Sequence, residues 1–143
     1  MVLKLTIHER DLQFSYRMYL SAFGKRILGK GGAQILEAID QYGSITVAAQ
    51  ELGMSYRFVW NYLRRIRRII GEPVISTHRG GTGLRKRRGG GGTVLTSTGK
   101  NLLKEYKATE SLILRTLRSN KKRLLVRRNA AIHRRSKGVK LKT

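Results

Sequence analysis

Cysteine is absent from this sequence, which rules out disulfide bonds, thiolate nucleophiles and cysteine-based zinc sites. The three histidines, His8, His78 and His133, share no spacing that would bring two of them to one metal ion. Acidic residues are scarce, with eight Asp and Glu against 31 Lys and Arg, and the net charge is +23. Neither a Ser-His-Asp arrangement nor a paired-carboxylate signature is found. The sequence therefore predicts a protein that is not an enzyme and that carries no cofactor or metal.

Long apolar runs are missing as well. No segment approaches the roughly 20 apolar residues that a membrane-spanning helix needs. Polar residues such as Lys4 and Glu9 interrupt the N-terminus, where a signal peptide would require an apolar stretch. We therefore expect a cytoplasmic protein without a membrane partner, and 143 residues are enough for one domain with extensions.

The positive charge is unevenly distributed. All eight acidic residues lie between Glu9 and Glu110, so the twelve cations that follow have no acidic residue among them. A surplus of this size favours a polyanionic partner, and nucleic acid is the first candidate because neutralising phosphates releases counterions. The cations concentrate in a predicted helix (Arg57, Arg64, Arg65, Arg67, Arg68), a glycine-rich loop (Arg79, Arg85, Lys86, Arg87, Arg88) and a tail (Arg115, Arg118, Lys121, Lys122, Arg123, Arg127, Arg128, Arg134, Arg135, Lys137, Lys140, Lys142).

Two predicted helices separated by Gly53-Met54-Ser55 form the most informative local pattern. Ser44 is suited to cap a helix over residues 45–52, and Ser55 is suited to cap the next one. A glycine-containing turn of three to four residues between two helices is typical of a helix-turn-helix. The second helix has an apolar face formed by Val59, Leu63, Ile66 and Ile70, and it ends at Gly71 and Pro73.

Short β-strands are predicted on both sides of this motif. Residues 13–20 and 25–28 alternate loosely around residues 21–24, which predicts an N-terminal β-hairpin. Residues 74–77 and 93–96 flank a basic, glycine-rich stretch, and two short strands around such a tip are typical of a wing.

Two further helices complete the predicted fold. The motif at residues 29–32, Gly-Lys-Gly-Gly, lacks the Gly-Lys-Ser/Thr ending of a phosphate-binding P-loop, so we expect it to lead into a helix that ends at Gly43. A last helix starts after Ser97 and is expected to reach residue 118, with an extension to about Val126. Residues from Arg127 onward have too little apolar content to fold alone. Leu103, Tyr106 and Leu117 of the last helix are expected in the core or in a dimer interface.

Together these elements predict a mainly α winged helix-turn-helix with small β-hairpins, a long C-terminal helix and a basic tail. We divide the chain into an N-terminal hairpin region (1–30), the winged domain (31–118, with the wing at about 74–96) and a basic extension (119–143).

Two sequence blocks carry a family resemblance. They are GSI-x-x-AA-x-x-LGMSYR-x-x-W over residues 43–60 and GGGG-x-x-LT-x-x-G-x-x-LL-x-x-Y over residues 89–106. The segment that contains them resembles the N-terminal domain of ModE-type regulators, which are molybdate-responsive relatives of LysR-type transcription factors. The resemblance implies that the second helix of the motif enters the DNA major groove, that the wing contacts the backbone and that the last helix dimerises. By position, it implies that Ser55, Tyr56, Arg57, Trp60, Asn61 and Arg64 face the groove.

The sequence also departs from that family. The oxyanion-binding domains that follow in molybdate sensors are absent, so we expect no molybdate binding. Residues 84–88 interrupt the wing with four cations, and a basic tail stands where an effector domain would be.

Charge pattern and resemblance together predict the nucleic-acid contacts. Residues 52–71 contain no acid, which favours a phosphate-facing helix surface over a merely solvated one. Trp60 either stacks on a base or ribose, or braces the wing or hairpin. The predicted contact residues are Ser55, Tyr56, Arg57, Trp60, Asn61, Arg64, Arg65, Arg68, Arg79, Arg85, Lys86, Arg87, Arg88, Lys121, Lys122, Arg123, Arg127, Arg128, Arg134, Arg135 and Lys137.

Three functions fit these expectations. Cations in the hairpin, helix, wing and tail favour a structural protein bound to folded rRNA, located on the ribosome beside other ribosomal proteins. The alternative is a ModE/LysR-like DNA-binding transcriptional regulator, acting as a homodimer on the nucleoid. A non-specific chromatin protein is the third interpretation, and it would bind DNA with a steep salt dependence and little sequence preference.

Overall fold

The computed structural model describes residues 13–78 and 92–138. The described residues divide into two compact units, one within residues 17–109 and one within residues 1–16 and 110–143. The predicted winged helix-turn-helix with small hairpins and a long last helix is confirmed. In chain order the elements are β1 (Leu20–Ala22), β2 (Lys25–Leu28), α1 (Lys30–Tyr42), α2 (Ile45–Glu51), α3 (Tyr56–Ile70), β3 (Ile75–His78), β4 (Gly92–Leu95) and α4 (Ser97–Gly138).

The helix-turn-helix consists of α2 and α3. The Ser44 hydroxyl accepts a hydrogen bond from the Val47 amide at 3.3 Å, and the Ser55 hydroxyl accepts one from the Phe58 amide at 3.1 Å. Both serines therefore cap their helices as predicted, which satisfies amide groups that the first turn leaves unpaired. The turn between the helices contains Gly53 in the left-handed conformation.

The core of the 17–109 unit lies among α1, α2 and α3. Val59, Leu63 and Ile66 of α3 are buried as the apolar spacing predicted, and Ile70 is partly buried against them. Tyr106 of α4 is also buried in this core, and Leu102 and Leu103 pack against it. Each large aliphatic side chain buried in this way contributes about 1.5–3 kcal/mol of transfer free energy. The other large, fully buried side chains are Leu28, Ile35, Leu36, Ile39 and Val74.

The wing strands pair antiparallel, with Ile75 opposite Leu95 and His78 opposite Gly92. Each strand is shifted by one residue from its predicted position. The Thr93 amide donates to the Gly43 carbonyl at 2.9 Å, which attaches β4 to the end of α1. The predicted tip of the wing, including Arg79 and residues 85–88, lies outside the described residues.

Helix α4 packs closely against the start of the wing. The Thr96 hydroxyl donates to the Pro73 carbonyl at 2.7 Å and accepts from the Gly99 amide at 3.1 Å. A Cβ on Gly99 would lie 2.1 Å from the Val74 carbonyl oxygen, so the close approach of helix and strand requires glycine here.

The prediction of a first strand over residues 13–20 was wrong. Strand β1 is Leu20–Ala22, and Phe23 and Gly24 form a two-residue turn in which both residues have positive φ. Such a turn sets the register of the pairing. Because β2 ends at Leu28, where the chain turns into α1, residues before Leu20 have no strand to pair with.

Two helices also differ from their predicted extents. Helix α1 begins at Lys30, so Gly31 and Gly32 lie within its first turn. Helix α4 continues to Gly138 instead of ending near residue 118 or 126. Its continuation has no proline and no glycine before Gly138, and it is rich in Arg, Lys, Leu and Ala, which are strong helix formers. The predicted domain boundaries at residues 30 and 118 are not tested by the structure and stay predictions.

Candidate nucleic-acid interface

The exposed face of α3 carries a stripe of polar and basic side chains. Arg57, Asn61, Arg64 and Arg68 recur at the same 4-3-4 spacing as the apolar residues, but two positions earlier. Two helical positions correspond to about 200°, so the two stripes lie on opposite sides of α3. All four side chains of the polar stripe are exposed. We call them the recognition stripe.

The electrostatics of α3 suit an anionic partner. Residues 52–71 contain five arginines and no acid. Arg67 and Arg68 lie in the last turn, where the negative end of the helix dipole stabilises cations. At the other end, the Ser55 hydroxyl is oriented by its cap hydrogen bond. An exposed cationic surface of this kind attracts phosphate, and its outer positions can reach base edges.

One edge of the recognition stripe borders the first wing strand. The rings of Tyr56 and Trp60 stack with centroids 6.3 Å apart and planes 10° from parallel. Tyr56 is about half exposed, whereas Trp60 packs against the core. Trp60 therefore lies beside the first wing strand, and its stacking on a base or ribose stays a prediction. A shallow groove of about 170 Å³ runs along this edge, and it is lined by Trp60, Leu63, Arg64, Arg67, Pro73, Val74, Ile75 and Thr77.

The other edge of the stripe borders the β1–β2 hairpin. A larger groove, of about 470 Å³, lies there between the hairpin, the start of α1 and α3. We call it the hairpin groove. Its side chains include three cations, Arg26, Lys30 and Arg65, and the aromatic residues Tyr19, Phe58 and Tyr62.

Hydrogen bonds from α3 attach the hairpin along this groove. The Tyr62 hydroxyl donates to the Ile27 carbonyl at 2.9 Å, and the Arg65 Nη1 donates to the Arg26 carbonyl at 2.9 Å. Burial raises the pKa of the Tyr62 phenol above its ordinary value of 10.0, although the nearby Arg65 cation acts in the opposite direction. The phenol is therefore a neutral hydrogen-bond donor at physiological pH.

Four residues that line the hairpin groove were absent from the predicted contact residues. Arg26, Lys30, Phe58 and Tyr62 were not among the predicted contact residues, although the basic Lys25-Arg26 pair was a signal in the sequence. Arg65 was predicted as a contact residue, and the structure places it in this groove. Its partner carbonyl at Arg26 is 39 residues away in the chain, so no local pattern pointed to the pair.

The predicted contacts of the tail lie on α4. Lys122, Arg123 and Arg127 are exposed and Lys121 is partly exposed, all within the unit that contains residues 110–143. Arg128, Arg134, Arg135 and Lys137 lie on the helical backbone of the same segment. Their part in nucleic-acid binding stays a prediction, as does that of the wing cations.

The part of the chain that the structure describes contains neither a metal-binding cluster nor a membrane-spanning helix. Within residues 13–78 and 92–138 no group of His, Asp and Glu side chains is arranged to bind a metal ion. In the same ranges no helix has the length and apolar content needed to cross a lipid bilayer.

Comparisons with known proteins agree with this geometry. Residues 32–100 match the bacterial regulatory helix-turn-helix protein family of the lysR type. The chain is 34% identical over 97 residues to the molybdenum-pterin-binding protein MopB of Rhodobacter capsulatus, an alignment that covers 68% of this chain and 34% of that protein. It is 33% identical over 98 residues to the molybdenum transport protein ModE of Azotobacter vinelandii, with 68% and 34% covered. It is 34% identical over 77 residues to the transcriptional regulator ModE of Haemophilus influenzae, with 54% and 28% covered.

The chain spans about a third of the length of these relatives. The matched region contains α2 and α3, and it includes both strands of the wing. The resemblance to ModE-type regulators is thereby confirmed, and the comparisons favour the regulator over the ribosomal interpretation. Residues 32–100 belong to the LysR-type family of nucleic-acid-binding helix-turn-helix domains, in the form found in ModE-type proteins.

Proposed function

We propose that this chain binds duplex DNA at specific sites and regulates transcription, with α3 lying in the major groove. The observation that carries the proposal is the recognition stripe, in which three arginines and one asparagine project from the side of α3 opposite its buried face. A B-DNA major groove is about 12 Å wide and admits one α-helix. The name of the Haemophilus influenzae relative, a transcriptional regulator, supports the same assignment.

The side chains of the stripe divide by chemistry into two roles. Arg57 can donate two hydrogen bonds to the O6 and N7 atoms of guanine, and Asn61 can pair with the N6 and N7 atoms of adenine. Arg64 and Arg68 lie further along the helix and are suited to backbone phosphates, which fix orientation without reading sequence. Ser55 remains able to donate its hydroxyl proton to a phosphate while its oxygen caps α3.

The proposal includes a homodimer, as the family resemblance implies. Helix α4 exposes Leu112, Leu114, Leu124 and Val126 in the unit that contains residues 110–143. At about 100° per residue, Leu112 and Val126 fall on the same side of α4, where a partner helix could cover them. Two copies related by a twofold axis would bind half-sites about 34–36 Å apart, which is one turn of the duplex.

The proposal includes neither a ribosomal function nor a molybdenum-dependent one. The relatives named above give no support to a ribosomal protein, although the acid-free tail by itself favours one. Molybdenum chemistry appears in the relatives' names, but the chain spans only about a third of those proteins. The proposal therefore does not extend to molybdenum binding.

Selection from a pool of random-sequence duplexes tests the proposal. We expect enrichment of a palindromic motif whose half-sites lie about one helical turn apart. Footprinting of the enriched duplex should then show protection in two successive major grooves on one side of the DNA. Failure to enrich any sequence over repeated rounds, with all duplexes retained equally, would overturn the proposal in favour of non-specific binding.

A further inference from the structure

We propose that the hairpin groove is a second DNA-contact surface, which binds backbone phosphates beside the base pairs that the recognition stripe reads. The inference rests on the proposed function, because it needs α3 in the major groove of a duplex. It assigns a role to Arg26, Lys30 and Arg65, of which only Arg65 was expected from the sequence to contact nucleic acid.

The hairpin groove lies directly beside the recognition stripe. Phe58, Tyr62 and Arg65 project from α3 toward the hairpin, on the flank of the helix next to Asn61. A duplex that lies against Asn61 therefore brings one of its strands toward Arg65. The groove on the wing side flanks the other edge of the same stripe, so α3 has a basic groove on each side.

The hairpin groove is also basic. Arg26, Lys30 and Arg65 are all exposed, and no acidic residue is among the described residues that line the groove. Three cations around one concavity repel each other unless an anion lies between them. A phosphodiester backbone supplies anions at regular spacing, and apolar side chains such as Phe58 can contact its sugars.

Aromatic rings hold the side chains of Arg26 and Arg65 in place before any phosphate binds. The Arg26 guanidinium lies over the Tyr19 ring at 4.4 Å from its centroid, and the Arg65 guanidinium lies over the Tyr62 ring at 5.1 Å. Stacking on a ring restricts the rotamers of a long side chain, so less conformational entropy is lost when a phosphate binds. Arg65 uses one N–H on the Arg26 carbonyl, and a guanidinium has five N–H donors, which leaves others for a phosphate.

The hairpin also cannot move freely away from α3. Hydrogen bonds from Tyr62 and Arg65 reach two consecutive carbonyls, those of Ile27 and Arg26. A change in the position of α3 in the major groove is therefore transmitted to the hairpin. The spacing between base contacts and flanking phosphate contacts is fixed by this attachment.

The test compares a double variant of the groove and a control variant on duplexes of two lengths. The double variant Arg26→Gln/Lys30→Gln removes two charges from the groove, and Lys104→Gln removes one exposed charge from α4 that lines neither groove. The probes are the duplex recovered by selection, trimmed to its motif, and the same duplex extended by about one helical turn on each side. Dissociation constants are measured at several salt concentrations, and hydroxyl-radical footprints are recorded.

For the double variant we expect the slope of log Kd against log salt to fall by about 1.8 on the extended duplex, because each phosphate that is no longer neutralised lowers the slope by about 0.9. Protection of the sugars next to the motif should disappear, while the preferred sequence stays the same. Lys104→Gln should leave that flanking protection intact. Restoring the charges with Arg26→Lys/Lys30→Arg should recover most of the slope. If the double variant is unstable to heat, Lys30→Gln alone replaces it. The slope of log Kd against log salt should then fall by about 0.9.

Two results would overturn the inference while leaving the proposed function intact. One is an unchanged slope and an unchanged flanking footprint in the double variant. The other is a groove that binds only free inorganic phosphate, seen by calorimetry as a loss of phosphate binding without any change in DNA binding. A wild-type protein that protects no specific duplex at all would instead overturn the proposed function, and the inference with it.

Discussion

The Tyr62 hydroxyl occupies the space that a side chain at residue 32 would need, since a Cβ on Gly32 would lie 1.9 Å from the Tyr62 Oη. Tyr62 belongs to α3 and Gly32 to the first turn of α1. The same hydroxyl donates to the Ile27 carbonyl of β2. One side chain of α3 therefore meets both the hairpin and α1, and glycine at residue 32 makes its position possible.

Replacing Gly32 with alanine should destabilise the fold. The added methyl group would overlap Tyr62 at its hydroxyl and ring carbons, so the ring or helix α1 must shift. Overpacking of this kind costs typically about 1–3 kcal/mol, which urea unfolding would measure as a lower midpoint.

Gly31→Ala is the matched control, because a Cβ on Gly31 would meet no atom within 4 Å. Alanine has the better helix propensity, so this variant should be neutral or more stable by up to about 1 kcal/mol. Equal midpoints for the two variants would show that Tyr62 does not set the requirement for glycine.

Tyr62→Phe should change how stability depends on pH in the alkaline range. Burial raises the folded-state pKa of Tyr62 above 10.0, so its contribution is fully present below pH 10 and is lost as the pH rises through the folded-state pKa. The variant should lose about 1 kcal/mol near neutral pH through the missing hydrogen bond to Ile27. Its disadvantage relative to the wild type should then shrink above pH 10.

Urea unfolding of both proteins between pH 7 and about pH 11 measures this difference. Desolvation and the Glu110 carboxylate also raise the pKa of Tyr16. The wild type and the variant should therefore both lose some stability at alkaline pH through Tyr16. Only the difference between the two curves reports on Tyr62, and a constant difference across the range would contradict the account.

Ser55 has two roles that two substitutions separate. Ser55→Ala removes the cap on Phe58 and should lower the unfolding free energy by about 1 kcal/mol. Ser55→Asp should keep the cap and the stability but weaken DNA binding, because it places a negative charge beside the expected phosphates.

Ser44→Ala is the control for capping alone. It should lower stability by a similar amount through loss of the bond to Val47, while fully folded protein binds DNA unchanged. If Ser55→Asp binds as tightly as the wild type, the start of α3 does not lie against the DNA backbone.

Arg57 should determine one base pair of the binding site. Arg57→Ala is expected to relax the preference at that position by about 1–3 kcal/mol, measured by binding to duplexes that carry each base there. Arg67 lies toward the wing groove, so Arg67→Ala should weaken all duplexes about equally. A uniform loss in both variants would mean that Arg57 contacts phosphate and does not read a base.

Local chemistry explains which parts of the fold the sequence predicted. The caps at Ser44 and Ser55 and the apolar spacing of α3 each depend on residues within one or two helical turns, so the printed sequence contains the whole signal. The wing strands were found for the same reason, to within one residue. The end of α4 was not predicted, because its Arg- and Lys-rich continuation has little apolar content although its helix propensity is high.

Contacts between distant segments explain what the sequence did not show. The recognition stripe follows from helix geometry once α3 is known, and its members were predicted. The hairpin groove depends on pairs such as Tyr62 with Gly32 and Arg65 with Arg26, which are 30 and 39 residues apart. Its cations were visible as residues, but their convergence required the tertiary structure.

The most direct test of the account is a titration of three probes, monitored by fluorescence anisotropy at several salt concentrations. The probes are the selected duplex, a scrambled duplex of the same composition and a fragment of rRNA. We expect the selected duplex to bind at least about 10³-fold more tightly than the scrambled duplex at physiological salt. We also expect the rRNA fragment to bind no better than the scrambled duplex. Tightest binding to the rRNA fragment at every salt concentration, or equal binding to both duplexes, would contradict the central claim that this domain recognises specific DNA.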